Sequence, residues 1–519
     1  MVFKEVFPQL VQYLKEHDPE APDSPDDLYL EELRSSALTF FYRLLFVFYA
    51  EDRQLLPVTD DKYDDYGLRK RVRVDIAKRM DSKDTFSQTL DDYYRRTCNL
   101  FKAIDKGDPS IGLPPYNGGL FDIKQHTLLN RVELPDSAFA PLLDKLSRRD
   151  IEENPKWINY RDLSVQQLGS IYERLLEFEL AMTADRDLVI RPNIFARKTS
   201  GSYYTPDNLV NLILEKTIDP LINEKLELFK NESEKLKGRK SPKKERLKEL
   251  KKVDPTSAIL ELKICDPAMG SGHFLVSLVD YLADRILESL VESEEIVDWL
   301  DKENSYASPL FEKINSIRDQ IKQQAKENGW VVKDEQLDDR HIIRRMILKR
   351  CVFGVDKNLM AVELAKVSLW LHTFTVGAPL SFLNHHLKCG DSLFGEFVRG
   401  AEDYLEERGS MFIGPTVNQA KATAKGMADI EQITDADISE VKDSAEKFQV
   451  VEKVTNPLNR FFGFIHATRW MDTKDKKIKA AIQNILDSQA GDPVKLVSGE
   501  IKMPEDAEST LKSVFRTAK

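Results

Sequence analysis

The chain has 519 residues, of which 41% are hydrophobic and 31% are charged, and its formal net charge is −11. These values are typical of a globular protein of two or three domains; the acidic balance is no signature of nucleic-acid binding, so any DNA contact requires a local basic surface or a partner. No apolar run is long enough to span a membrane, and the first residues lack the pattern of a signal peptide. The four cysteines are scattered, which argues against disulfides or a metal site. Together these features predict a cytoplasmic protein.

Residues from about 1 to 195 are predicted to form a mainly α-helical N-terminal domain. Phe40–Glu51 is a dense apolar segment and is interpreted as a buried core helix, and Leu168–Leu180 repeats apolar residues at helical spacing. Strong turn signals occupy Gly112–Asp122 between them. The polar connector Arg191–Ser200 is the predicted domain boundary.

From about residue 196 to 400 the pattern changes to strands, turns and helices in alternation. Three short apolar segments are predicted strands, each with an aspartate at its end: Ile259–Cys265, Cys351–Asp356 and Leu387–Asp391. This alternation predicts a parallel α/β sheet whose ligand lies at the carboxyl ends of the strands. Charged helical insertions are predicted at about 222–257 and 288–340, and a polar helical segment at 401–519. The lysine-rich first insertion is interpreted as a solvated helical hairpin, with a phosphate-backbone contact as the alternative.

The first motif of this region is G-S-Y-Y-T-P at Gly201–Pro206, which precedes an amphipathic helix. Thr205 and Pro206 are typical of a helix N-cap followed by proline at the first helical position. The motif therefore predicts a helix start, and it leaves open whether this start also touches a ligand.

The most informative motif is I-C-D-P-A-M-G-S-G-H-F-L at Ile264–Leu275. It predicts a strand, a turn opened by Asp266 and Pro267, a Gly-x-Gly bend and a helix with an apolar stripe. Gly270 and Gly272 would let the backbone approach a nucleotide-like ligand, which free N–H groups at the helix start would face. The spacing lacks the third glycine of a NAD or FAD site and the Gly-Lys-Ser/Thr of a triphosphate site. Asp266 either binds the ligand or caps the turn.

Aspartates also end the next two predicted strands. Asp356, in C-V-F-G-V-D, is placed to accept hydrogen bonds from both hydroxyls of a ribose, which requires the segment at about 288–340 to be an insertion. Asp391, in C-G-D-S-L, can accept from an exocyclic amine such as that of adenine. The esterase interpretation of G-D-S-L, with Ser392 as the nucleophile, is rejected because the motif lies late in the chain without its usual context.

The order Y-Y-T-P, D-P-A-M-G-S-G-H-F, V-F-G-V-D and G-D-S-L resembles motifs X, I, II and III of amino-group DNA methyltransferases of the gamma arrangement. It is especially similar to the large fused methylases of type IIG restriction-modification and related phage-defence systems. Segments of the helical region contribute to the likeness: Tyr49–Pro57, Pro114–Asp122 and Leu168–Glu177.

The resemblance implies a partial Rossmann-like, S-adenosylmethionine-dependent methyltransferase core that acts on adenine N6 of double-stranded DNA. It also implies which residues bind S-adenosylmethionine: Tyr204, Thr205 and Pro206 at the methionine end, Asp266, Ala268, Gly270 and Gly272 around the amino-acid moiety, Asp356 at the ribose, and Asp391 at the adenine.

Such enzymes grip the flipped adenine with Asn/Asp-Pro-Pro-Tyr/Phe, a motif that the gamma order places after Asp391 and that is absent there. N-P-L-N at Asn456–Asn459 lacks the second proline and the aromatic ring, and is interpreted as a loop. L-P-P-Y at Leu113–Tyr116 is rejected because leucine cannot accept from an amine. E-L-K at Glu261–Lys263, which mimics part of a nuclease site, lies within the first predicted strand. No catalytic residue is therefore identified.

Two hypotheses for the function follow. In the first, the chain is the cofactor-binding part of a DNA adenine methyltransferase, and a second polypeptide supplies the catalytic motif and the target-recognition domain. In the second, it is a non-catalytic regulatory or interaction subunit with a residual S-adenosylmethionine pocket. The intact D-P-A-M-G-S-G sequence favours the first. Methylation of RNA or protein is a third alternative.

Overall fold

The computed structural model describes residues 2–116, 120–122, 127–151, 154–162, 167, 178–183, 188–192, 205–300, 305–329, 332, 337–395, 422–423, 426–433, 435, 438–470, 476–486 and 492–501. The chain divides into two compact units, Met1–Gly390 with Thr434–Val441, and Asp391–Ile433 with Lys442–Lys519. Within the described ranges, no helix is both long enough and apolar enough to cross a membrane.

The α-helices, numbered in chain order, are α1 Val2–Glu16, α2 Asp27–Asp52, α3 Asp61–Asp64, α4 Val74–Asp81, α5 Asp92–Lys106, α6 Thr127–Arg131, α7 Asp136–Ser147, α8 Asp207–Lys237, α9 Lys243–Leu250, α10 Pro255–Ile259, α11 His273–Ile296, α12 Pro309–Asn328, α13 Asp339–Arg350, α14 Leu359–His372, α15 Ile438–Trp470, α16 Lys476–Leu486 and α17 Pro493–Ser498. The strands are β1 Arg148–Ile151, β2 Asn154–Trp157, β3 Phe178–Met182, β4 Leu188–Pro192, β5 Ile264–Asp266, β6 Val352–Asp356 and β7 Leu387–Cys389. A π-helical turn at Leu68–Arg73 precedes α4.

Helix α2 lies at the centre of the N-terminal helical region. Every residue from Ser36 to Glu51 is buried, because this segment has no polar face and packs on all its sides. The helix begins at a cap in which the Asp26 carboxylate accepts a hydrogen bond of 2.9 Å from the backbone N–H of Tyr29. The prediction of a buried core helix at Phe40–Glu51 is confirmed.

One hydrophobic core connects the helical region to the α/β region that follows it. The ring centre of Phe46 on α2 lies 5.2 Å from that of Phe121 and 5.8 Å from that of Phe374, which follows α14. The ring of Tyr116 is fully buried 4.8 Å from Phe374. A tyrosine in this position cannot stack on a flipped base, which agrees with the rejection of L-P-P-Y as a catalytic motif.

Two short antiparallel pairs, β1 with β2 and β3 with β4, also belong to the helical region. The helical prediction for Leu168–Leu180 is wrong at its end, because Phe178–Met182 pairs as a strand with the apolar Leu188–Pro192. Its earlier residues, 168–177, lie outside the described part of the chain. Arg191 and Pro192, predicted as connector, complete β4.

The predicted parallel sheet is confirmed: β5, β6 and β7 pair in that order, and β6 is central. The first strand is shorter than predicted, because Pro255–Ile259 forms α10, whose N-terminus is capped by the Asp254 carboxylate through a 2.8 Å bond from Ser257 N–H. Glu261–Lys263 therefore lies before β5 and not within it. The described chain is mostly helical with this small sheet.

The charged segments between the strands are helical where they are described. Helix α8 continues without a break to Lys237, and α9 packs back against it through Leu250, beside the buried Phe229 and Leu236. In the C-terminal part, Asn456–Asn459 lies inside α15, so its interpretation as a loop is wrong. A proline removes one helical hydrogen bond, but the helix continues on both sides of Pro457.

We expect Phe46→Ala to lower the free energy of unfolding by about 3–5 kcal/mol, because it leaves a cavity between aromatic rings in the shared core. Urea denaturation followed by circular dichroism measures the change. Leu90→Ala, at a side chain that is 64% exposed, is the control and should change the value by less than about 0.5 kcal/mol. Equal effects of the two substitutions would contradict the shared core.

Candidate functional site

The glycine loop, residues 267–272, connects β5 to α11. Gly270 and Gly272 have φ angles of +52° and +81°, in the left-handed region that favours glycine. A Cβ atom at Gly272, the N-cap of α11, would lie 3.0 Å from the Cβ of Ala365 on α14. A Cβ at Gly270 would have no atom within 4 Å. Gly272 is thus required for close packing, whereas the backbone at Gly270 borders open space.

Asp356, at the end of β6, holds this loop in place. Its Oδ2 accepts a 2.9 Å hydrogen bond from the backbone N–H of Gly270, and its Oδ1 accepts one of 2.8 Å from Asn358. The N–H of Met269 also donates to the carbonyl of Val355 at 3.0 Å. A carboxylate offers about four acceptor positions. Asp356 can therefore hold the loop and still accept from a ligand.

Asp266 ends β5, beside Gly354 of β6 in the parallel register. Its Oδ1 accepts a 3.0 Å hydrogen bond from the backbone N–H of Ala268, so Asp266 caps the turn. Burial, and secondarily the charge of Asp356, raises the pKa of Asp266 above its usual value. The structure brings Asp266, Ala268, Gly270 and Asp356 together at one end of the sheet; their contact with a ligand stays a prediction.

The start of α8 is connected to the glycine loop through a contact between His273 and Asp207 that sequence reasoning missed. His273 Nε2, in the first turn of α11, lies 2.9 Å from Oδ1 of Asp207, the first residue of α8. Burial lowers the pKa of His273, and the neighbouring Asp207 carboxylate acts in the opposite direction. The sequence feature that could have indicated this contact is the histidine directly after Gly272. This contact places Thr205 and Pro206 near the loop.

The predicted cap of α8 needs a correction of one residue. The carbonyl of Pro206 accepts the first helical hydrogen bond, of 3.1 Å from Val210 N–H, so Pro206 is the N-cap and Asp207 the first helical residue. Thr205 precedes the cap and is exposed, and no side chain caps this helix. Tyr204 lies outside the described residues. The assignment of these three residues to a methionine moiety stays a prediction.

Asp391 follows β7 by two residues and belongs to the second compact unit. Its Oδ1 accepts hydrogen bonds of 3.0 Å and 3.3 Å from the backbone N–H groups of Leu393 and Phe394. This is a turn in which an aspartate caps its own following residues. The contact of Asp391 with adenine stays a prediction.

Two buried histidines that the sequence did not single out stand directly before β7. The ring of His386 lies 4.1 Å from the ring of Phe353 on β6, and 4.0 Å from that of His385. Burial lowers the pKa of His386 to about 3 and lowers that of His385 still further. These neutral imidazoles pack against β6 at the point where the chain enters β7.

Cys98, Cys265, Cys351 and Cys389 are free thiols. Across the described segments, no group of three or more histidine, cysteine or acidic side chains is arranged to hold a metal ion.

No family model matches the chain. Over 422 residues it is 24% identical to a Methanocaldococcus jannaschii protein whose curated name describes it, provisionally, as the type II restriction enzyme and methyltransferase RM.MjaORFECS2P. That alignment covers 72% of this chain and 28% of the relative, so the chain spans less than a third of the length of the curated relative it matches. Among solved structures, the Type IIL restriction-modification enzyme MmeI in complex with DNA is similar over 75% of this chain and 40% of that chain, with a TM-score of 0.35 and 16% identity.

We expect Gly272→Ala to destabilise the protein, because a left-handed alanine costs about 1–2 kcal/mol and its methyl group would crowd Ala365. Differential scanning calorimetry would record a lower Tm. Gly238→Ala is the matched control, since Gly238 has a φ of −83° and no atom would lie within 4 Å of the new Cβ. Unchanged Tm values for both variants would contradict the tight contact between loop and α14.

We expect stability to fall as the pH is lowered from about 6.5 towards 3, because His385 and His386 take up protons in the unfolded chain before they can in the folded one. Within that window each group contributes up to about 1.4 kcal/mol per pH unit. His386→Phe should lower the slope of the free energy of unfolding against pH by the contribution of one titrating group. Urea denaturation at several pH values measures this slope. An unchanged slope would contradict a buried, neutral His386.

Proposed function

We propose that this chain contains the S-adenosylmethionine-binding part of a DNA methyltransferase that modifies adenine at N6, in a restriction-modification or phage-defence system. The observation that carries the proposal is the hydrogen bond from Gly270 to Asp356, at the carboxyl ends of adjacent parallel strands. Nucleotide-like ligands bind parallel sheets at this edge. The relative that is named for restriction and methylation supports the same class of activity.

The described residues fit such a cofactor in three respects. The spare acceptor positions of Asp356 suit the two hydroxyls of a ribose. The carboxylate of Asp266 suits the ammonium group of the amino-acid moiety, with Ala268, Gly270 and Gly272 as the backbone around it. The open space beside Gly270 admits a ligand against the main chain. Tyr204, Thr205 and Pro206 are assigned to the methionine end and Asp391 to the adenine.

Bound S-adenosylmethionine would supply a methyl group carried on a positively charged sulfur. The residues of this chain would orient it: Asp356 would fix the ribose, and the contact of His273 with Asp207 would keep the start of α8 near the loop. The acceptor amine needs a partner such as Asn-Pro-Pro-Tyr, which these 519 residues do not contain. We assign that motif and the recognition of double-stranded DNA to sequence other than these residues, in the same protein or in a second polypeptide.

We expect isothermal titration calorimetry to detect binding of S-adenosylmethionine by the full chain. Asp356→Asn should weaken it by roughly 1.5–3 kcal/mol, on the order of ten- to hundredfold, because it removes charge-assisted hydrogen bonds. Glu312→Gln is the control, as it removes a charge from an exposed side chain on α12. Absence of heat at ligand concentrations near a millimolar would refute the cofactor assignment, and equal Kd values for the two variants would refute the ribose role.

A methylation assay separates this proposal from the alternative of a non-catalytic subunit. N6-methyladenine should form in double-stranded DNA only after a polypeptide with that motif is added. Methylation by the chain alone would contradict the division of the site. Cofactor binding without methylation in either mixture would favour a regulatory subunit.

A further inference from the structure

A cavity in the N-terminal helical region has no role in the proposed methyl transfer. Its volume is about 410 Å³, within the range of small-molecule sites. Three segments line it: the end of α2 with the residue after it (Glu51, Asp52 and Gln54), the π-helical turn (Arg69 and Arg73), and the chain around the end of β2 (Trp157, Asn159 and Arg161). We call it the helical-region pocket.

Burial distinguishes the floor of this pocket from its rim. Glu51 and Arg73 are 1% and 4% exposed and form the floor. Arg69, Trp157 and Arg161 are exposed and form the rim. Arg161 suits a phosphate at this open rim, because a guanidinium presents a planar fork of donors. Arg69 adds a second positive charge, although it already donates to the Asp64 carboxylate at 2.8 Å and to the Val58 carbonyl at 3.2 Å.

The rim also presents a large aromatic surface. Trp157 is 49% exposed, although the Arg73 guanidinium lies 5.4 Å from the centre of its indole ring and orients it. Arg73 is in turn held by the Phe48 ring at 4.5 Å and by Asp52 at 3.7 Å. An exposed, oriented indole beside cations is a stacking surface for a base.

The floor holds a polar atom without a partner. Glu51 Oε1 accepts hydrogen bonds from Leu68 N–H at 2.8 Å and from the Tyr63 hydroxyl at 3.2 Å, whereas Oε2 is buried with no hydrogen-bond partner. A buried, unsatisfied carboxylate oxygen is costly, so such an atom points to a missing donor. Burial also raises the pKa of Glu51 to about 7, against the opposing charge of Arg73.

We propose that the helical-region pocket binds a nucleotide whose base carries an amino group. The phosphate lies at Arg69 and Arg161, the base stacks on Trp157, and the amino group of the base donates to Glu51. Free mononucleotides and the nucleotide units of single-stranded nucleic acid share this chemistry. Uracil lacks the amino donor, so the pocket discriminates against it.

The test measures binding of AMP, CMP and UMP, and of a short single-stranded deoxyadenosine oligonucleotide, to the full chain by calorimetry. All proteins in this test carry Asp356→Asn, which weakens any binding of adenosine at the glycine loop. The measured binding then reports on the helical-region pocket. Failure of the proposed function therefore leaves this measurement interpretable. AMP and CMP should bind about tenfold or more tightly than UMP.

Trp157→Ala and Arg161→Ala should each weaken nucleotide binding by on the order of tenfold. Both residues lie at the rim, so neither substitution removes a fully buried side chain. Arg95→Ala is the control, since Arg95 is a 64% exposed arginine on α5 and does not line the pocket. Binding of mononucleotides with this pattern identifies a free nucleotide as the ligand.

Binding of the oligonucleotide alone, lost in the same two variants, identifies a nucleic-acid strand as the source of the nucleotide and also supports the site. Binding of neither probe overturns the proposal, and so does binding that is insensitive to Trp157→Ala and Arg161→Ala. Equal affinities for AMP, CMP and UMP overturn the role of Glu51.

Discussion

The hydrogen bond between the carboxylate of Asp356 and the N–H of Gly270 is the contact on which the site depends. It joins the end of the central strand β6 to the turn that leaves its neighbour β5. The backbone bond from Met269 to Val355 reinforces it. Because both donors belong to the main chain of the glycine loop, the loop takes its form from the sheet before any ligand arrives. A ligand then meets a preorganised surface and loses little free energy to ordering it.

The sheet and the helical region stabilise each other. Helix α2 is buried on all sides, and Phe46 on it reaches both Phe121 and Phe374. The π-helical turn and β2, which line the helical-region pocket, attach to the same helical framework around Glu51 and Asp52. The glycine loop and this pocket therefore belong to the same compact unit.

Features that depend on neighbours in the sequence could be predicted from it. The strands before Asp266 and Asp356, the glycine bend and the apolar stripe of α11 follow from local periodicity and turn chemistry. Features that depend on distant partners could not. The contact of His273 with Asp207 joins residues more than sixty positions apart, and the strand at Phe178–Met182 exists because Leu188–Pro192 pairs with it. Likewise, Asn456–Asn459 looks like a loop until the whole of α15 is seen.

Helix α8 extends the consequence of the contact at its start. Its 31 residues form a continuous helix about 46 Å long, which begins beside the glycine loop and ends in the lysine-rich hairpin. The contact of His273 with Asp207 fixes the end of this helix that lies at the loop. One secondary-structure element therefore joins the loop proposed to bind the cofactor to a lysine-rich segment about 46 Å away.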